Sequence, residues 1–179
     1  MFARTQRLLL RPVWPEDADA LFAGINDAGI VYNLARAPWP YTLDDARSFA
    51  ARAQDPHFPH FLLTRPGDAG QTLIGSCGLG ETEGEPELGY WIARDHWGQG
   101  YATEAARAVI ANAWMIGHKR LVASHYIDNP ASGGVLRRLG FTPTGVIRPR
   151  FSAGRGYAAM AKEYTLESDV ADIERPLAA

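Results

Sequence analysis

The stretch Asp95-His96-Trp97-Gly98-Gln99-Gly100-Tyr101-Ala102 joins a predicted strand to the longest predicted helix. Glycine has no Cβ, so the backbone amides of this loop can approach a ligand closely. The start of the helix adds free N–H groups and the positive end of the helix dipole. Together these features predict an anion site that suits a pyrophosphate.

Two familiar phosphate loops do not fit this stretch. A P-loop requires Gly-Lys-Ser or Gly-Lys-Thr, and the chain contains neither tripeptide. A dinucleotide fingerprint needs a third Gly or Ala where Thr103 stands, and it needs parallel βαβ units early in the chain. Because two glycines alone also fit a tight turn, the prediction depends on the rest of the sequence.

Hydrophobic periodicity around the loop predicts the order β-α-α-β-β-β-α-β-α-β-β, which indicates an α/β (α+β) fold with one mixed sheet. A first helix opens at Pro15 and fades at Gly24, and a capping box of Thr42 and Asp45 opens the second. Residues 81–86 are polar and predict a turn. The predicted strands are 7–13, 60–64, 73–79, 87–92, 121–127, 141–147 and 160–166, and the later helices are 43–53, 102–116 and 131–139.

Bulk composition narrows the class of protein. With 179 residues, 46% of them hydrophobic and 21% charged, we expect one soluble globular domain over residues 4–167 and a loose tail over 168–179. The formal net charge of −2 and the lack of a long basic run exclude a nucleic-acid footprint. The apolar run 8–10 is too short for a membrane span, and the single cysteine, Cys77, has no disulfide partner. We expect a cytoplasmic protein.

Four groups of residues occur in a fixed order along the chain. They are Arg7-Leu8-Leu9-Leu10-Arg11-Pro12 with Glu16-Asp17; Leu73-Ile74-Gly75-Ser76-Cys77-Gly78-Leu79; Glu87-Leu88-Gly89-Tyr90-Trp91-Ile92 followed by residues 97–105; and Asp128-Asn129-Pro130-Ala131-Ser132 ending in Leu139-Gly140-Phe141. In this combination the chain resembles the GNAT superfamily of N-acetyltransferases, and within it the branch of RimJ/RimL-type ribosomal-protein N-terminal acetyltransferases. The resemblance implies a GNAT-like mixed, mostly antiparallel central sheet flanked by helices.

The resemblance also implies acetyl-CoA as cofactor, with no metal, and direct attack by a primary amine in a ternary complex. The amine would belong to a protein N-terminus or to a small molecule. Backbone amides near Tyr90, Trp91 and Ile92 would bind pantetheine and the oxyanion, and Asn129 would bind pantetheine. The pyrophosphate would lie against Trp97, Gly98, Gln99, Gly100, Tyr101, Ala102 and Thr103.

Three positions depart from the family pattern. Asp95 stands where a Gln or Arg is expected, and its charge would repel a pyrophosphate unless it is turned away. Leu136 replaces the Tyr that serves many relatives as general acid. Gly133 follows Ser132 where the RimJ/RimL branch often has a basic residue.

Acetyl transfer needs a neutral amine, donors for the oxyanion and a proton for the leaving thiolate. Glu87 is the candidate base, directly or through a water, because it shares a strand face with Gly89, whose missing side chain leaves space. A solvent-facing acid at a strand start is the alternative. Ser132 is the candidate proton donor or partner of the thiol sulfur, and a helix N-cap is the alternative or additional role. For Asn129 the alternative is a turn residue before Pro130.

The acceptor side is less defined by sequence. Trp39, Tyr41 and Phe151 are candidates for lining an acceptor cleft, with core packing as the alternative. Three arginines lie near one another in the sequence, Arg148, Arg150 and Arg155. They either attract an acidic acceptor or form a solvated surface. The histidines show no metal-ligand spacing, although His96 and His125 lie near the cleft motifs.

Two other functions remain open at this stage. A non-catalytic acyl-CoA sensor would agree with Leu136, and a nucleotide-binding protein would use the same glycine loop. No partner beyond the amine acceptor is indicated, and the chain is expected to be a monomer or a homodimer.

Overall fold

A computed structural model describes residues 1–67 and 70–168. Its centre is an eight-stranded sheet in the order β1-β2-β3-β4-β5-β6-β8-β7. All neighbouring strands are antiparallel except β5 and β6, which are parallel. The strands are β1 (Ala3–Arg4), β2 (Leu9–Arg11), β3 (His60–Gly67), β4 (Gly70–Thr82), β5 (Glu85–Ile92), β6 (Arg120–Tyr126), β7 (Thr142–Ser152) and β8 (Tyr157–Glu167).

Helices cover both faces of the sheet, and the predicted mixed, mostly antiparallel sheet with flanking helices is confirmed. One core cluster includes the buried alanines of α4 and Leu136 of α5, packed on Ile74, Leu88 and Leu121 of the sheet. The other cluster joins α1 to α3 with Leu62 on the opposite face. The helices are α1 (Ala18–Ile25), α2 (Ala28–Val31), α3 (Leu43–Ala50), α4 (Tyr101–Met115) and α5 (Pro130–Arg138). In the described ranges, no helix combines the length and apolarity needed to cross a membrane.

Several element boundaries differ from the sequence prediction. Residues 81–86 were expected to form a turn, but β4 and β5 continue almost to each other and leave only Glu83 and Gly84 in the connection. Both have positive φ values, 53° and 80°, which suits a two-residue hairpin turn. The predicted strand 141–147 continues to Ser152 as β7. Helix α3 ends at Ala50, before the expected residue 53.

Two short elements escaped prediction. Strand β1 has two residues and α2 has four, too few for a periodic pattern to appear. Helix α1 begins later than expected because residues Pro15–Asp17 form a 3₁₀ turn, where Asp17 bonds Arg11 at 2.6 Å. The predicted tail falls almost entirely on residues 169–179, outside the described residues.

One weak junction in the sheet positions the site. Strand β5 pairs with β4 from Thr82↔Glu85 to Gly75↔Ile92, but it pairs with β6 through the single register position Glu87↔Val122. Beyond Glu87 the two parallel strands separate. The backbone of β5 after this residue therefore faces a gap on its β6 side.

Candidate active site

Two cavities open on either side of this gap and share one short wall. A cleft of about 1180 Å³ lies at the start of α4, and a cavity of about 510 Å³ lies between the sheet and α3. We call them the α4-side cleft and the α3-side cavity. The residues that line both are Asn33, Leu34, Tyr90, Trp91, Asn129 and Ser132. A ligand in the cleft and a ligand in the cavity would meet at this wall.

The glycine loop forms one end of the α4-side cleft. Gly98 and Gly100 have positive φ values of 73° and 81°, and Gly100 caps α4 directly. The Trp97 indole fixes the loop by donating to the carbonyl of Ile92 at 2.6 Å. The free N–H groups of the first turn of α4 therefore face the cleft.

Most of the predicted cofactor residues line this cleft. The exception is Gln99, whose carbonyl accepts from Arg7 at 3.0 Å and whose side-chain amide bonds the Asp95 carbonyl at 3.2 Å. The lining members of the predicted set are Tyr90, Trp91, Ile92, Trp97, Gly98, Gly100, Tyr101, Ala102, Thr103, Asn129 and Ser132. The side chain of Tyr101 turns away into the core.

Three arginines of the cleft were not identified from the sequence. Arg7 pairs with Glu104 at 2.6 Å and lies over the Tyr101 ring. Arg107 and Arg138 also line the cleft, and neither forms an ion pair within the described residues. Arg107 lies on α4 and Arg138 on α5, so no sequence motif connects them. Asp95 is exposed and lies outside the lining, so its charge is turned away from the cleft.

Tyr90 and Ser132 form the centre of the shared wall. The Tyr90 hydroxyl lies 2.8 Å from Ser132 Oγ and 3.2 Å from the Ser132 carbonyl. Burial raises the pKa of the Tyr90 hydroxyl, which therefore remains protonated. The pair brings two hydroxyl groups to the mouth of the β5–β6 gap. The sequence motif points to Tyr90 only for its backbone, because nothing in the pattern pairs its hydroxyl with Ser132.

The start of α5 corrects one part of the interpretation of Ser132. The N-cap of α5 is Asn129, whose side-chain oxygen accepts from the Ser132 backbone N–H at 3.3 Å. Ser132 occupies the third helical position, so its hydroxyl is available to Tyr90. The next residue is Gly133, and a Cβ at this position would lie 2.5 Å from Nε2 of His125. The helix can approach β6 this closely only without a side chain at this position.

Glycines form the floor of the α3-side cavity. Gly78 on β4 and Gly89 on β5 are register partners, and His60 on β3 is the next partner in the row. A Cβ added at Gly89 would meet nothing within 4 Å, which agrees with the space expected beside Glu87. A Cβ at Gly78 would lie 2.6 Å from the His60 ring, so the imidazole can occupy this position only because residue 78 has no side chain.

Glu87 lies on the wall of this cavity in a dense polar network. Both carboxylate oxygens contact the Arg150 guanidinium, and the distance from Arg150 Nη2 to Glu87 Oε2 is 2.7 Å. The carboxylate also accepts hydrogen bonds from the Thr82 hydroxyl at 2.7 Å and the Ser124 hydroxyl at 3.2 Å. Its side chain is 13% exposed. Burial alone would raise the pKa of the carboxyl, but the bonds and charge of Arg150, with the two hydroxyl donors, outweigh burial and lower it. Glu87 is therefore an ionised, fixed carboxylate.

Of the three aromatic candidates for the acceptor side, one lines the cavity. Tyr41 is buried on its wall, and burial with the nearby Asp45 raises the pKa of its hydroxyl to about 12. Trp39 lies outside the cavity, edge-on to Tyr32 with ring centres 6.0 Å apart. Phe151 is 60% exposed and also lies outside it. The geometry gives Trp39 and Phe151 no contact with this cavity.

The arginines near the end of the chain are ion-paired. Arg148 bonds Glu83 at 2.9 Å and also contacts Glu163, and Arg155 bonds Asp128 at 2.7 Å. Together with Arg150 they are engaged by acids of this chain, so the ion pairs do not favour the first of the two alternatives, attraction of an acidic acceptor or a solvated surface. Within residues 1–67 and 70–168, no cluster of three His, Cys, Asp or Glu side chains could hold a metal ion.

Comparison with known proteins identifies the family. A model of the acetyltransferase (GNAT) domain matches residues 7–142, so the chain belongs to the GNAT acetyltransferase family. The chain is 30% identical over 151 residues to the uncharacterized N-acetyltransferase YoaA of Bacillus subtilis (strain 168), covering 80% of this chain and 84% of that relative.

Solved structures share the fold. Mycobacterium smegmatis RimJ, in complex with CoA-disulfide, superposes with a TM-score of 0.78 at 20% identity over 97% of this chain and 89% of that one. The microcin C7 self-immunity acetyltransferase MccE, in complex with acetyl-CoA and AMP, gives a TM-score of 0.74 at 20% identity over 91% and 93%. The resemblance to GNAT enzymes and to the RimJ/RimL fold is therefore confirmed.

Proposed function

We propose that this acetyltransferase moves an acetyl group from acetyl-CoA to a primary amine within a ternary complex. The observation that carries the proposal is the shared wall at Tyr90 and Ser132, where a cleft suited to the cofactor meets a separate cavity. Two substrates that enter from opposite sides would place their reacting ends together there. Such placement supplies much of the rate enhancement of a two-substrate reaction.

The α4-side cleft fits the chemistry of CoA. The amides of the glycine loop would bind the pyrophosphate, and Arg107 and Arg138 would add positive charge. The β6-facing backbone of β5 would pair with pantetheine, as an added strand pairs with a sheet edge. Asn129 would donate from its amide nitrogen, since its oxygen is used in the α5 cap. The complexes of MccE with acetyl-CoA and of RimJ with CoA-disulfide support this assignment.

When bound, acetyl-CoA supplies an activated acyl group as a thioester. The residues of this chain then have three tasks. Backbone N–H groups of Tyr90–Ile92 would donate to the oxygen that gains negative charge. Ser132 would donate the proton that the leaving thiolate gains, and Tyr90 would hold the Ser132 hydroxyl in place. This pair would take the place of the general-acid tyrosine of many relatives, at whose position this chain has Leu136.

Glu87 would act on the incoming amine. The amine arrives largely as an ammonium ion and must lose a proton before it can attack, and Glu87 is an ionised carboxylate on the cavity wall. Because Arg150 lowers the pKa of Glu87, direct proton abstraction is weak, so Glu87 would receive the proton through a water and pass it to solvent. The ammonium ion loses one proton to solvent by this route. On acylation the nitrogen loses a second proton, which returns Ser132 to its hydroxyl form after Ser132 has protonated the thiolate.

Thiol release from acetyl-CoA, measured with a panel of primary amines and peptides, tests the proposal. Acceptor-dependent release with an N-acetylated product of the expected mass supports it. Tight CoA binding without turnover on any acceptor would instead indicate a sensor. Thermal stabilisation by ATP or NAD in preference to CoA would indicate a nucleotide-binding protein.

A further inference from the structure

The α3-side cavity contains more charge than its reaction requires. Besides Glu87 and its partner Arg150, two arginines line it, Arg36 from the segment after α2 and Arg52 from the segment after α3. Arg36 lies over Gly80, where an added Cβ would be 3.4 Å from its guanidinium, and donates to the Glu81 carbonyl at 2.7 Å. Arg52 lies over the Phe49 ring at 5.8 Å.

Neither arginine has an acidic partner among the residues that the structure describes. No carboxylate of the described residues lies within 4.0 Å of the guanidinium of Arg36 or Arg52. Arg150, in the same cavity, has one in Glu87. The two unpaired cations come from separate segments and converge on one cavity, where an acidic ligand would neutralise them.

Four acids line the cavity, and none of them lies within 4.0 Å of the guanidinium of Arg36 or Arg52. Asp45 is used by the α3 cap, where it accepts from the Thr42 N–H and hydroxyl. Asp55 accepts from the His57 N–H at 2.8 Å. Glu87 is bound by Arg150. Strand alternation puts the side chain of the fourth acid, Glu81, on the face of the sheet opposite to Gly80 and the cavity floor.

His60 lies at the end of the glycine floor, and the charges of both arginines act on its imidazole. Ser76 donates to the Phe61 carbonyl at 2.8 Å, so Nε2–H of His60 donates to Ser76 Oγ at 2.6 Å and Nδ1 is left as an acceptor. Burial, and after it the charges of Arg36 and Arg52, lower the pKa of His60 to about 4. The imidazole is therefore neutral, and two guanidinium groups lie on this side of the cavity.

We propose that the amine acceptor carries a carboxylate, which Arg36 and Arg52 bind in the α3-side cavity while its amine lies at Tyr90 and Ser132. The inference rests on the proposed acetyl transfer and names the class of its acceptor. The carboxylate is either the α-carboxylate of an amino acid or the side chain of an acidic residue near a peptide N-terminus. The ligand chemistry is the same, and the experiment separates the two sources.

The test compares twin acceptors in which a carboxylate is replaced by a carboxamide, with each rate expressed per concentration of neutral amine, because the replacement also lowers the pKa of a neighbouring amine. L-leucine is compared with L-leucinamide, and the peptide Asp-Ala-Ala amide with Asn-Ala-Ala amide, as kcat/KM with saturating acetyl-CoA. We expect kcat/KM of one acid to exceed that of its neutral twin by about tenfold or more. The variants Arg36→Gln and Arg52→Gln should each reduce this ratio of kcat/KM values severalfold. Arg47→Gln is the matched control, because Arg47 lies on α3 outside the cavity, paired with Asp44.

A binding measurement keeps the inference separate from catalysis. The N-acetylated forms of the same four compounds are titrated into the CoA-saturated protein by calorimetry. Arginine-dependent binding of an N-acetylated acid without any acetyl transfer would support the carboxylate site and refute the proposed reaction. Efficient transfer to both members of each pair, with ratios near one, would overturn the carboxylate site and leave the reaction standing. Equal losses on acid and neutral twins in Arg36→Gln and Arg52→Gln would also overturn it.

Discussion

The Tyr90 hydroxyl lies 2.8 Å from Ser132 Oγ, and this hydrogen bond joins strand β5 to helix α5 where the two cavities meet. Tyr90 is fixed by its strand and Ser132 by a helix whose cap is Asn129. The hydroxyl pair therefore needs little reorganisation before a proton is transferred.

Removal of either hydroxyl should slow the chemical step more than it weakens cofactor binding. We expect Tyr90→Phe and Ser132→Ala each to lower kcat by about 10²-fold, because both interrupt the same proton donor. The double variant should lose much less than the product of the two effects. Steady-state kinetics at saturating acetyl-CoA measures this. Tyr157→Phe, which removes an exposed hydroxyl outside both cavities, is the control. Full activity in Ser132→Ala would exclude it as the donor.

Glu87→Gln should destabilise the fold by about 1–3 kcal/mol at pH 7, because it leaves the partly buried Arg150 guanidinium without its counter-charge. The pKa of Glu87 is lowered in the folded state, so its stabilisation is present above the unfolded value and is lost as pH falls through the folded value. The parent should therefore lose more stability than Glu87→Gln between about pH 5 and pH 3. Urea unfolding at both pH values checks the sign.

The same variant separates the structural and chemical roles of Glu87. We expect kcat to fall by about 10- to 100-fold as the carboxylate that receives the amine's proton is lost. Glu85→Gln is the control, since Glu85 lies on the same strand and pairs with Arg120 at 3.2 Å outside the cavity. An unchanged kcat across the pH range would remove Glu87 from the mechanism.

Gly89→Val should narrow the α3-side cavity without much loss of stability, because a Cβ at this position meets no atom within 4 Å. KM for the amine should rise by about tenfold, whereas CoA affinity should stay within about twofold. Gly78→Ala is the contrasting variant, since its Cβ would lie 2.6 Å from the His60 ring and should destabilise the fold. Equal effects of Gly89→Val on both substrates would contradict the separation of the two sites.

Phosphate binding should depend on arginines of the cleft and not on Asp95. Arg107→Gln and Arg138→Gln should each weaken CoA binding by about 3- to 10-fold at low salt, with a smaller loss at high salt. Asp95→Gln should leave the affinity unchanged, because Asp95 is exposed and lies outside the cleft lining. Calorimetric titration with CoA measures all three. Tighter binding by Asp95→Gln would mean that its charge faces the ligand.

The local chemistry of the sequence predicted which residues lie together at the start of α4. Glycines with positive φ, a helix start and the Asn129–Ser132 motif carry their signal within a few residues, and the structure assembles them along one cleft. The capping box of Thr42 and Asp45 formed for the same reason. Short-range rules act on neighbours in the chain, and these features are neighbours.

Long-range pairing could not be predicted in the same way. Arg150 contacts Glu87 across 63 positions, and Tyr90 contacts Ser132 across 42. Whether an arginine is free or neutralised depends on which acid the fold brings to it. The sequence therefore left two roles open for Arg148, Arg150 and Arg155, attraction of an acidic acceptor or a solvated surface. It did not single out Arg36 and Arg52, which have no acidic partner among the described residues.

The single register position Glu87↔Val122 also has a mechanical consequence. Strands β1 to β5 form one half of the sheet and β6, β8 and β7 the other, and each half has its own antiparallel ladder. The halves share one core cluster, with Leu88 on β5 and Leu121 on β6, so the weakness of their junction lies in the backbone hydrogen bonds alone. A chain molecule bound along the gap would add backbone contacts there, and amide exchange in β5 and β6 should slow when it binds.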